Sequence, residues 1–142
     1  MEQIFVDTDG WLALNRKREE LHELAVEMNQ QLLEDGHRYL TSNYILDETY
    51  TLLSRWAGRA IAIDFGEKVQ ISKTTDIIHI TETITEIAWE YFKKYADHKE
   101  ISFTDCTSFV VMKQNHITQV FTGDEDYEHV GLGFISLLKR KG

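Results

Sequence analysis

The sequence predicts an α/β fold with a short, mainly parallel central sheet and helices on both of its faces. β-Rich runs alternate along the chain with stretches whose apolar residues recur every three or four positions, as in amphipathic helices. This alternation implies βαβ units with right-handed crossovers. The chain has 142 residues, 42% of them hydrophobic, and no proline, so it can bury a core and lacks Pro-rich linkers. Residues 1–142 are therefore predicted to form a single domain.

The N-terminal half is predicted to contain two strands and four helices. Gly10 interrupts the first strand, Gly36 suits the C-terminal end of a helix, and Gly58 separates two helices. Ser42 or Asn43 provides the side chain of a helix N-cap. In chain order the elements are a strand at 3–7, a helix from Trp11, a helix at 18–34, a strand at 39–41, and helices at 45–56 and 60–71.

The C-terminal half is predicted to contain three strands and two helices. Thr81 starts a helix with one apolar face, and the segment 96–100 is a polar loop. The segment 123–133 is expected to be irregular apart from one helical turn. The remaining elements are a strand at 75–80, a helix at 104–115, and strands at 117–121 and 134–138.

The net charge of −9 argues, taken alone, against a surface that binds nucleic acid, because phosphate contacts need Lys and Arg. An acidic metal site would contribute several of these charges, and basic residues also occur in clusters, for example at 16–18 and 139–141. No apolar run approaches the length of a membrane span, and the N-terminus lacks the basic region of a signal peptide. A single cysteine, Cys106, indicates a reducing compartment, so a cytoplasmic location is predicted.

Four carboxylates occupy positions that this fold would bring together. Asp7 and Asp124 each follow an apolar, β-rich run, and Asp105 lies in the first turn of a predicted helix. Glu48 lies within an apolar helix pattern, where an unpaired Glu is rarely buried. Functional crevices of parallel sheets lie outside the carboxyl ends of the strands. Converging acids repel one another unless a divalent cation lies between them, which is typical of phosphodiester chemistry.

Each of these residues also has a purely structural interpretation. Asp105 alone would be an ordinary first-turn acid, and Asp124 a turn residue. Ser102 and Thr104 suit helix N-capping as well as phosphate contact. Thr8 suits a turn at the end of a strand as well as contact with phosphate or with a neighbouring carboxylate. The six histidines show no paired spacing that would indicate zinc, and Cys106 is expected to be a buried structural thiol.

The motifs around these acids resemble those of the PIN-domain ribonucleases, and within them the VapC-type toxins of bacterial toxin–antitoxin pairs. They occur in the family's order and span nearly the whole chain. The block Ser-Phe-Thr-Asp-Cys at 102–106 is the most specific of them. The others are Phe-Val-Asp-Thr-Asp-Gly-Trp at 5–11, Thr-Ser-Asn-Tyr at 41–44 leading to Glu48, and Phe-Thr-Gly-Asp-Glu-Asp-Tyr at 121–127.

The resemblance implies an α/β/α sandwich and an endoribonuclease that hydrolyses RNA with Mg²⁺ or Mn²⁺. It implies that Asp7, Glu48, Asp105 and Asp124 hold the metal ion and carry the catalysis. It also implies a homodimer, and inhibition by a small antitoxin protein that inserts a peptide into the active-site groove. Asp9 and Asp126 are further candidate ligands, and Thr8, Ser102 and Thr104 are candidates for contact with phosphate or with the ligating carboxylates.

Two positions depart from the family pattern. Position 9 is usually small and hydroxylated in this subgroup, but here it is Asp9, which would add either a ligand or a further repulsion at the site. Position 123 is often aromatic, but here it is Gly123.

Two alternative functions remain open on the sequence. One is a PIN-like module that binds RNA or protein without catalysis, its chemistry disabled by Asp9 or by the low basicity. The other is a haloacid-type phosphatase, since the residues at 7–9 form an Asp-x-Asp pair after the first strand. The block at 102–106 favours the ribonuclease over the phosphatase.

Overall fold

The structure, a computed structural model, describes residues 2–139. This part of the chain contains five strands and seven helices that alternate as the sequence predicts. The strands are β1 (Gln3–Val6), β2 (Arg38–Ser42), β3 (Thr75–Ile78), β4 (Gln119–Phe121) and β5 (Ile135–Ser136). The helices are α1 (Thr8–Asn15), α2 (His22–Glu34), α3 (Asn43–Trp56), α4 (Arg59–Ile71), α5 (Glu82–Lys94), α6 (Phe103–Gln114) and α7 (Asp126–His129).

The five strands form one sheet in the order β3-β2-β1-β4-β5, and every pair is parallel. The predicted α/β class with a parallel sheet is therefore confirmed. The strand order reverses at β1, which has β2 on one side and β4 on the other. At such a switch point the connections leave in opposite directions and open a crevice at the carboxyl ends of the two central strands. The crevice lies beyond β1 and β4, where the predicted acids are.

The first helix begins earlier than the sequence predicts. α1 starts at Thr8, and Gly10 lies inside it instead of separating it from β1. The reason is the close approach of α1 to the end of β4, because a Cβ atom on Gly10 would overlap the carbonyl oxygen of Phe121. Glycine is thus needed here for space and not to break the strand. The second helix begins at His22, four residues after the predicted start.

The core lies on the sheet and around α6. Residues 106–112 of α6 are all buried, so this helix is enclosed on every side and only its ends reach the surface. Cys106 is buried, as predicted, and burial raises the pKa of its thiol to about 11. On the other half of the sheet Trp11 packs against Phe65, and its indole N–H donates to the hydroxyl of Thr41. No helix within residues 2–139 is long and apolar enough to cross a membrane.

Hydroxyl side chains cap the starts of three helices. Ser42 caps α3, Thr81 caps α5 and Ser102 caps α6, each through its hydroxyl oxygen. Of the two candidates for the start of α3, Ser42 is therefore the N-cap, while the Asn43 side chain accepts a hydrogen bond from Ile80 N–H at 2.7 Å. Gly36 follows α2 with a positive φ of 84°, as expected of a residue that ends a helix.

Substitution of Gly10 by alanine is expected to lower the free energy of unfolding by about 2–3 kcal/mol, the usual range for forcing a methyl group into a packed site. The methyl group must displace the backbone of Phe121, which cannot rotate away. Urea denaturation of both proteins would measure the difference.

The matched control is Gly66→Ala in the middle of α4. A Cβ atom there would lie 3.1 Å from the ring of Tyr50, which can move, and alanine favours the helix by about 1 kcal/mol over glycine. This variant is expected to be as stable as the parent or slightly more so. Equal effects of the two substitutions would contradict the backbone clash at Gly10.

Candidate metal centre

Asp7 lies between β1 and α1 at the carboxyl edge of the sheet. It is only 5% exposed. Its Oδ1 accepts a hydrogen bond from Gly10 N–H at 2.9 Å and so caps α1, and its Oδ2 accepts one from the Thr122 hydroxyl at 2.9 Å. Both carboxylate oxygens are therefore fixed in position, with lone pairs left over for a further partner.

Thr122, which the sequence reasoning did not single out, links the two predicted strand-end acids. It is fully buried directly after β4. Its hydroxyl donates to Asp7 and accepts from Asp124 N–H at 3.0 Å. Asp124 in turn accepts from Asp126 N–H at Oδ1, 2.9 Å, and its carbonyl oxygen accepts from the Ser136 hydroxyl at 2.7 Å. A hydroxylated residue two positions before an aspartate is the sequence signal of such a turn.

Asp105 lies in the first turn of α6, as predicted. Ser102 and Asp105 form a reciprocal capping box. The Ser102 hydroxyl accepts from Asp105 N–H at 3.0 Å, while Asp105 Oδ2 accepts from Ser102 N–H at 2.9 Å. Because the rest of α6 is buried, the helix start is held rigidly and aims Asp105 at the crevice.

Glu48 does not lie on a buried face of its helix, so this part of the sequence reasoning was wrong. The buried residues of α3 are Ile45, Leu46, Thr49 and Leu53, and Glu48 is exposed beside them. Its charge nevertheless raises the pKa of Asp105, so the two carboxylates lie near each other. Glu48 and Thr104 line a shallow cavity of about 440 Å³ that opens to solvent.

The pKa values of three acids are raised, chiefly because the acids are poorly solvated and also because other acids lie near. Burial raises the pKa of Asp7 well above its ordinary value, and the charge of Asp9 adds to the effect. Burial also raises the pKa of Asp105, partly offset by its hydrogen bonds to Ser102. The pKa of Asp124 rises to about 6, chiefly through burial and also through the charges of Asp126 and Asp105.

The charges of the predicted acids act on one another's pKa values through Asp105. Asp105 is at the centre, because its pKa responds to Glu48 and Asp126, while the pKa values of Asp7 and Asp124 respond to Asp105. We call these five residues the acid cluster. All four principal predicted site residues, and Asp126, therefore lie within electrostatic range of Asp105 or are Asp105 itself.

The predicted hydroxyl residues have different surroundings. The Thr8 hydroxyl is closed off from solvent and has no hydrogen-bond partner, so it does not reach an open phosphate site. Ser102 is occupied by the cap of α6. Thr104 is half-buried at the mouth of the cavity beside Glu48. Asp9 is exposed, and its Oδ2 accepts from Gly123 N–H at 2.7 Å.

Tyr127 lies beneath the acid cluster and was also missed by the sequence reasoning. It is 1% exposed and packs edge-on against Phe109. Its hydroxyl makes no hydrogen bond of acceptable geometry, although the hydroxyl of Ser108 is near. Burial, together with the charge of Asp7 and of the other acids, raises the pKa of the phenol far above its ordinary value, so the phenol stays neutral.

The donor set of the acid cluster fits a hard divalent cation. All its side chains offer carboxylate oxygen, which Mg²⁺ and Mn²⁺ prefer, and a cation would stabilise the buried, ionised carboxylates and offset the repulsion among them. Within residues 2–139, no three Asp, Glu, His or Cys side chains lie close enough to one another to bind the same metal ion directly. A Mg²⁺ ion bound here would therefore contact one or two carboxylates directly and keep several of its waters.

Comparison with known proteins agrees with the fold and the position of the acids. A family model described as "PIN domain" matches residues 4–132. The chain is 34% identical over 128 residues to the 23S rRNA-specific endonuclease VapC20 of Mycobacterium tuberculosis, in two strains, covering 90% of this chain and 94% of that protein.

The fold is also shared with solved structures. The crystal structure of M. tuberculosis VapC20, a Sarcin-Ricin loop cleaving toxin, superposes with a TM-score of 0.82 at 31% identity, covering 94% of this chain and 98% of that one. VapBC2 from Rickettsia felis, bound to a DNA fragment from its promoter, gives a TM-score of 0.66 at 11% identity and covers 94% and 96%. FitAcB from Neisseria gonorrhoeae gives 0.65 at 18% identity with the same coverage. The last two comparisons bear on the fold alone.

Replacing Tyr127 by phenylalanine is expected to raise the free energy of unfolding by about 1 kcal/mol, because a buried hydroxyl without a partner costs stability. Urea denaturation of the metal-free protein measures this. Tyr95→Phe is the matched control, since the Tyr95 hydroxyl donates to Val130 O at 2.7 Å. The control is expected to lose about 1 kcal/mol. A loss of stability in both variants would contradict an unpartnered Tyr127 hydroxyl.

The pH dependence of stability follows from the raised pKa of Asp124. The folded state binds this proton more tightly than the unfolded state, so ionisation lowers stability as the pH rises from 3.8 to about 6. Below this window Asp124 is protonated in both states, and above it the loss is complete. In chelator, Asp124→Asn is therefore expected to become progressively more stable than the parent across the window.

The measurement is urea denaturation of parent and Asp124→Asn at several pH values between about 4 and 7. Asp97→Asn, which changes an exposed acid outside the cluster, is the control and should show no trend across the window. A difference between parent and Asp124→Asn that is constant over this range would show that Asp124 is not perturbed.

Proposed function

The chain belongs to the PIN-domain family, and we propose that it is a divalent-metal-dependent endoribonuclease that hydrolyses phosphodiester bonds in RNA. The single observation that carries the proposal is the acid cluster at the switch point of the sheet. Burial raises the pKa values of Asp7, Asp105 and Asp124, and the charge of Asp105 adds to the rise at the other two. An acidic crevice of this kind would repel an RNA phosphate unless a cation intervened.

We propose that Asp7, Glu48, Asp105 and Asp124 hold Mg²⁺ or Mn²⁺, some of them through water. Asp126 is the further acid that supports this proposal, because it lies within the cluster. The bound cation would supply a more acidic water and stabilisation of charge on the scissile phosphate. Since the chain carries a net charge of −9, attraction of the substrate at this point depends on that cation.

The protein's own residues would orient the reactants. Thr122 fixes Asp7 and Asp124 relative to each other. Glu48 is the most exposed acid of the cluster and shares a cavity with Thr104, so we assign it the orientation of the attacking water. In the first turn of α6 the Asp105 N–H is used by the Ser102 cap. The earlier N–H groups of Phe103 and Thr104 precede the helical hydrogen-bonding pattern, and they and the Thr104 hydroxyl are suited to contact a phosphate oxygen.

We propose ribosomal RNA as the substrate class. This rests on the 34% identity to a protein named as a 23S rRNA-specific endonuclease, over nearly the full length of both chains. The corresponding crystal structure is described as a toxin that cleaves the Sarcin-Ricin loop. A structured RNA loop presents its backbone to an open crevice such as this one.

The remaining partners follow from the same relatives. We propose that the chain is the toxin of a toxin–antitoxin pair, that a small antitoxin protein inhibits it, and that it forms a homodimer. We further propose that it is a single domain, since one family model extends over residues 4–132. A cytoplasmic location follows from an RNA substrate and a single cysteine.

The substitution Asp105→Asn tests the function. When its expression is induced in bacteria, the parent is expected to create discrete new RNA 5′ ends and to arrest growth. The variant is expected to cut RNA at least about a hundredfold more slowly, because it loses a negatively charged ligand. Mapping of 5′ ends measures both. Asp97→Asn, with the same change of charge outside the cluster, should behave as the parent.

The same variant has a readout that does not depend on RNA. In chelator, Asp105→Asn is expected to melt at a higher temperature than the parent, because burial raises the pKa of Asp105 and the amide removes the poorly solvated charge and its repulsion by Glu48 and Asp126. Mn²⁺ at about a hundred times its dissociation constant would stabilise the parent by about 2.7 kcal/mol and the variant much less. Identical cutting and identical responses to Mn²⁺ in parent and variant would refute the proposed function.

A further inference from the structure

Asp9 lies beside the acid cluster but is bound to the protein's own backbone. It is the second residue of α1, and its Oδ2 accepts from Gly123 N–H at 2.7 Å. The same oxygen lies 3.4 Å from the Thr122 hydroxyl, which donates its one proton to Asp7 at 2.9 Å. The bond from Gly123 is therefore the principal one, and a carboxylate acceptor makes it stronger than an ordinary backbone hydrogen bond.

Gly123 allows this contact because it has no side chain. A Cβ atom at this position would overlap the side chain of Leu21 and lie 3.1 Å from Asp9 Oδ2. A larger residue at this position would have to displace Leu21 and would crowd the Asp9 carboxylate. Asp9 and Gly123 are thus the two halves of one contact.

The contact completes a series of bonds along the loop that follows β4. Thr122 is bonded to Asp7, Gly123 to Asp9, and Asp124 N–H to Thr122. Asp124 is also held from the other side, where its carbonyl oxygen accepts from Ser136. Three consecutive residues of the loop are therefore fixed, two of them to the start of α1.

We propose that Asp9 is a positioning residue: it ties the start of α1 to the backbone at Gly123 and thereby fixes Asp124 relative to Asp7 at the proposed cation site. This inference rests on the proposed function in so far as the acid cluster is the cation site. It assigns to Asp9 the role of a hydrogen-bond acceptor and not that of a metal ligand. An uncharged acceptor of the same shape should therefore replace it.

The experiment compares Asp9→Ala, which removes the acceptor, with Asp9→Asn, which retains an oxygen and loses only the charge. Asp9→Leu, with a side chain of similar size and no acceptor atom, is a second variant in case alanine is poorly tolerated. Asp97→Ala is the matched control for loss of an exposed acid. Two quantities are measured: the hydrogen exchange rate of the Gly123 amide by NMR, and the dissociation constant for Mn²⁺ alone by electron paramagnetic resonance of the free ion.

Asp9→Ala is expected to accelerate exchange of the Gly123 amide by about tenfold or more, as loss of a hydrogen bond to a charged group implies. It is also expected to raise the dissociation constant for Mn²⁺ by about tenfold, because Asp124 is no longer held. Asp9→Asn is expected to stay within about threefold of the parent in both quantities, since a neutral acceptor retains most of the bond. Asp97→Ala should change neither.

Two results would overturn the proposal. If Asp9→Asn and Asp9→Ala weaken Mn²⁺ binding equally while the Gly123 amide exchanges as in the parent, Asp9 acts as a ligand or a charge. If Asp9→Ala changes neither quantity, the tie has no effect. Failure of the proposed function has a separate signature: the parent itself would bind no Mn²⁺, although Asp9→Ala still accelerates Gly123 exchange. That result would show that Asp9 has no role in cation binding and that its hydrogen bond with Gly123 only stabilises the loop after β4.

Discussion

The parallel pairing of β1 with β4 is the constraint on which the acid cluster depends. Its register sets Val6 opposite Phe121, so that Asp7 and Thr122 leave the sheet side by side and can form their hydrogen bond. A shift of one residue would turn every side chain of the strand to the opposite face and separate them. The missing side chain of Gly10 lets α1 begin directly over the end of β4. Neither the positions of the acids nor the loop after β4 would survive a different pairing.

The cluster opposes folding even as the fold creates it. Burial and mutual repulsion raise the pKa values of Asp7, Asp105 and Asp124, so their ionised forms are less stable in the native state than in the unfolded chain. Hydrogen bonds from Gly10 N–H and from the Thr122 hydroxyl offset part of this cost at Asp7. Groups that conflict with the local rules of stability concentrate at functional sites, because a ligand resolves the conflict.

The sequence predicts the parts of the site that depend on local pattern. Apolar runs that end in an acid locate Asp7 and Asp124, and a helix start locates Asp105. In the structure the charge of Asp105 acts on both of the other acids. The prediction that Glu48 lies on the apolar face of α3 was wrong. The buried face of this helix includes Thr49, and because that residue is polar, the sequence pattern does not show which side of the helix is buried. The sequence does not predict the contact between Asp9 and Gly123 or the position of Tyr127, because both depend on residues that are distant along the chain. Asp9 and Gly123, for example, are 114 positions apart, and no local sequence pattern indicates such a contact.

The Asp7–Thr122 hydrogen bond joins residues that are 115 positions apart. Contacts of such long range form late in folding, since the intervening chain must first be ordered. During translation, which proceeds from the N-terminus, the ends of the crevice are therefore separated by almost the whole polypeptide. The nascent chain has no assembled acid cluster until β4 has left the ribosome and paired with β1. A protein proposed to cut ribosomal RNA is in this way inert toward the ribosome for nearly all of its own synthesis.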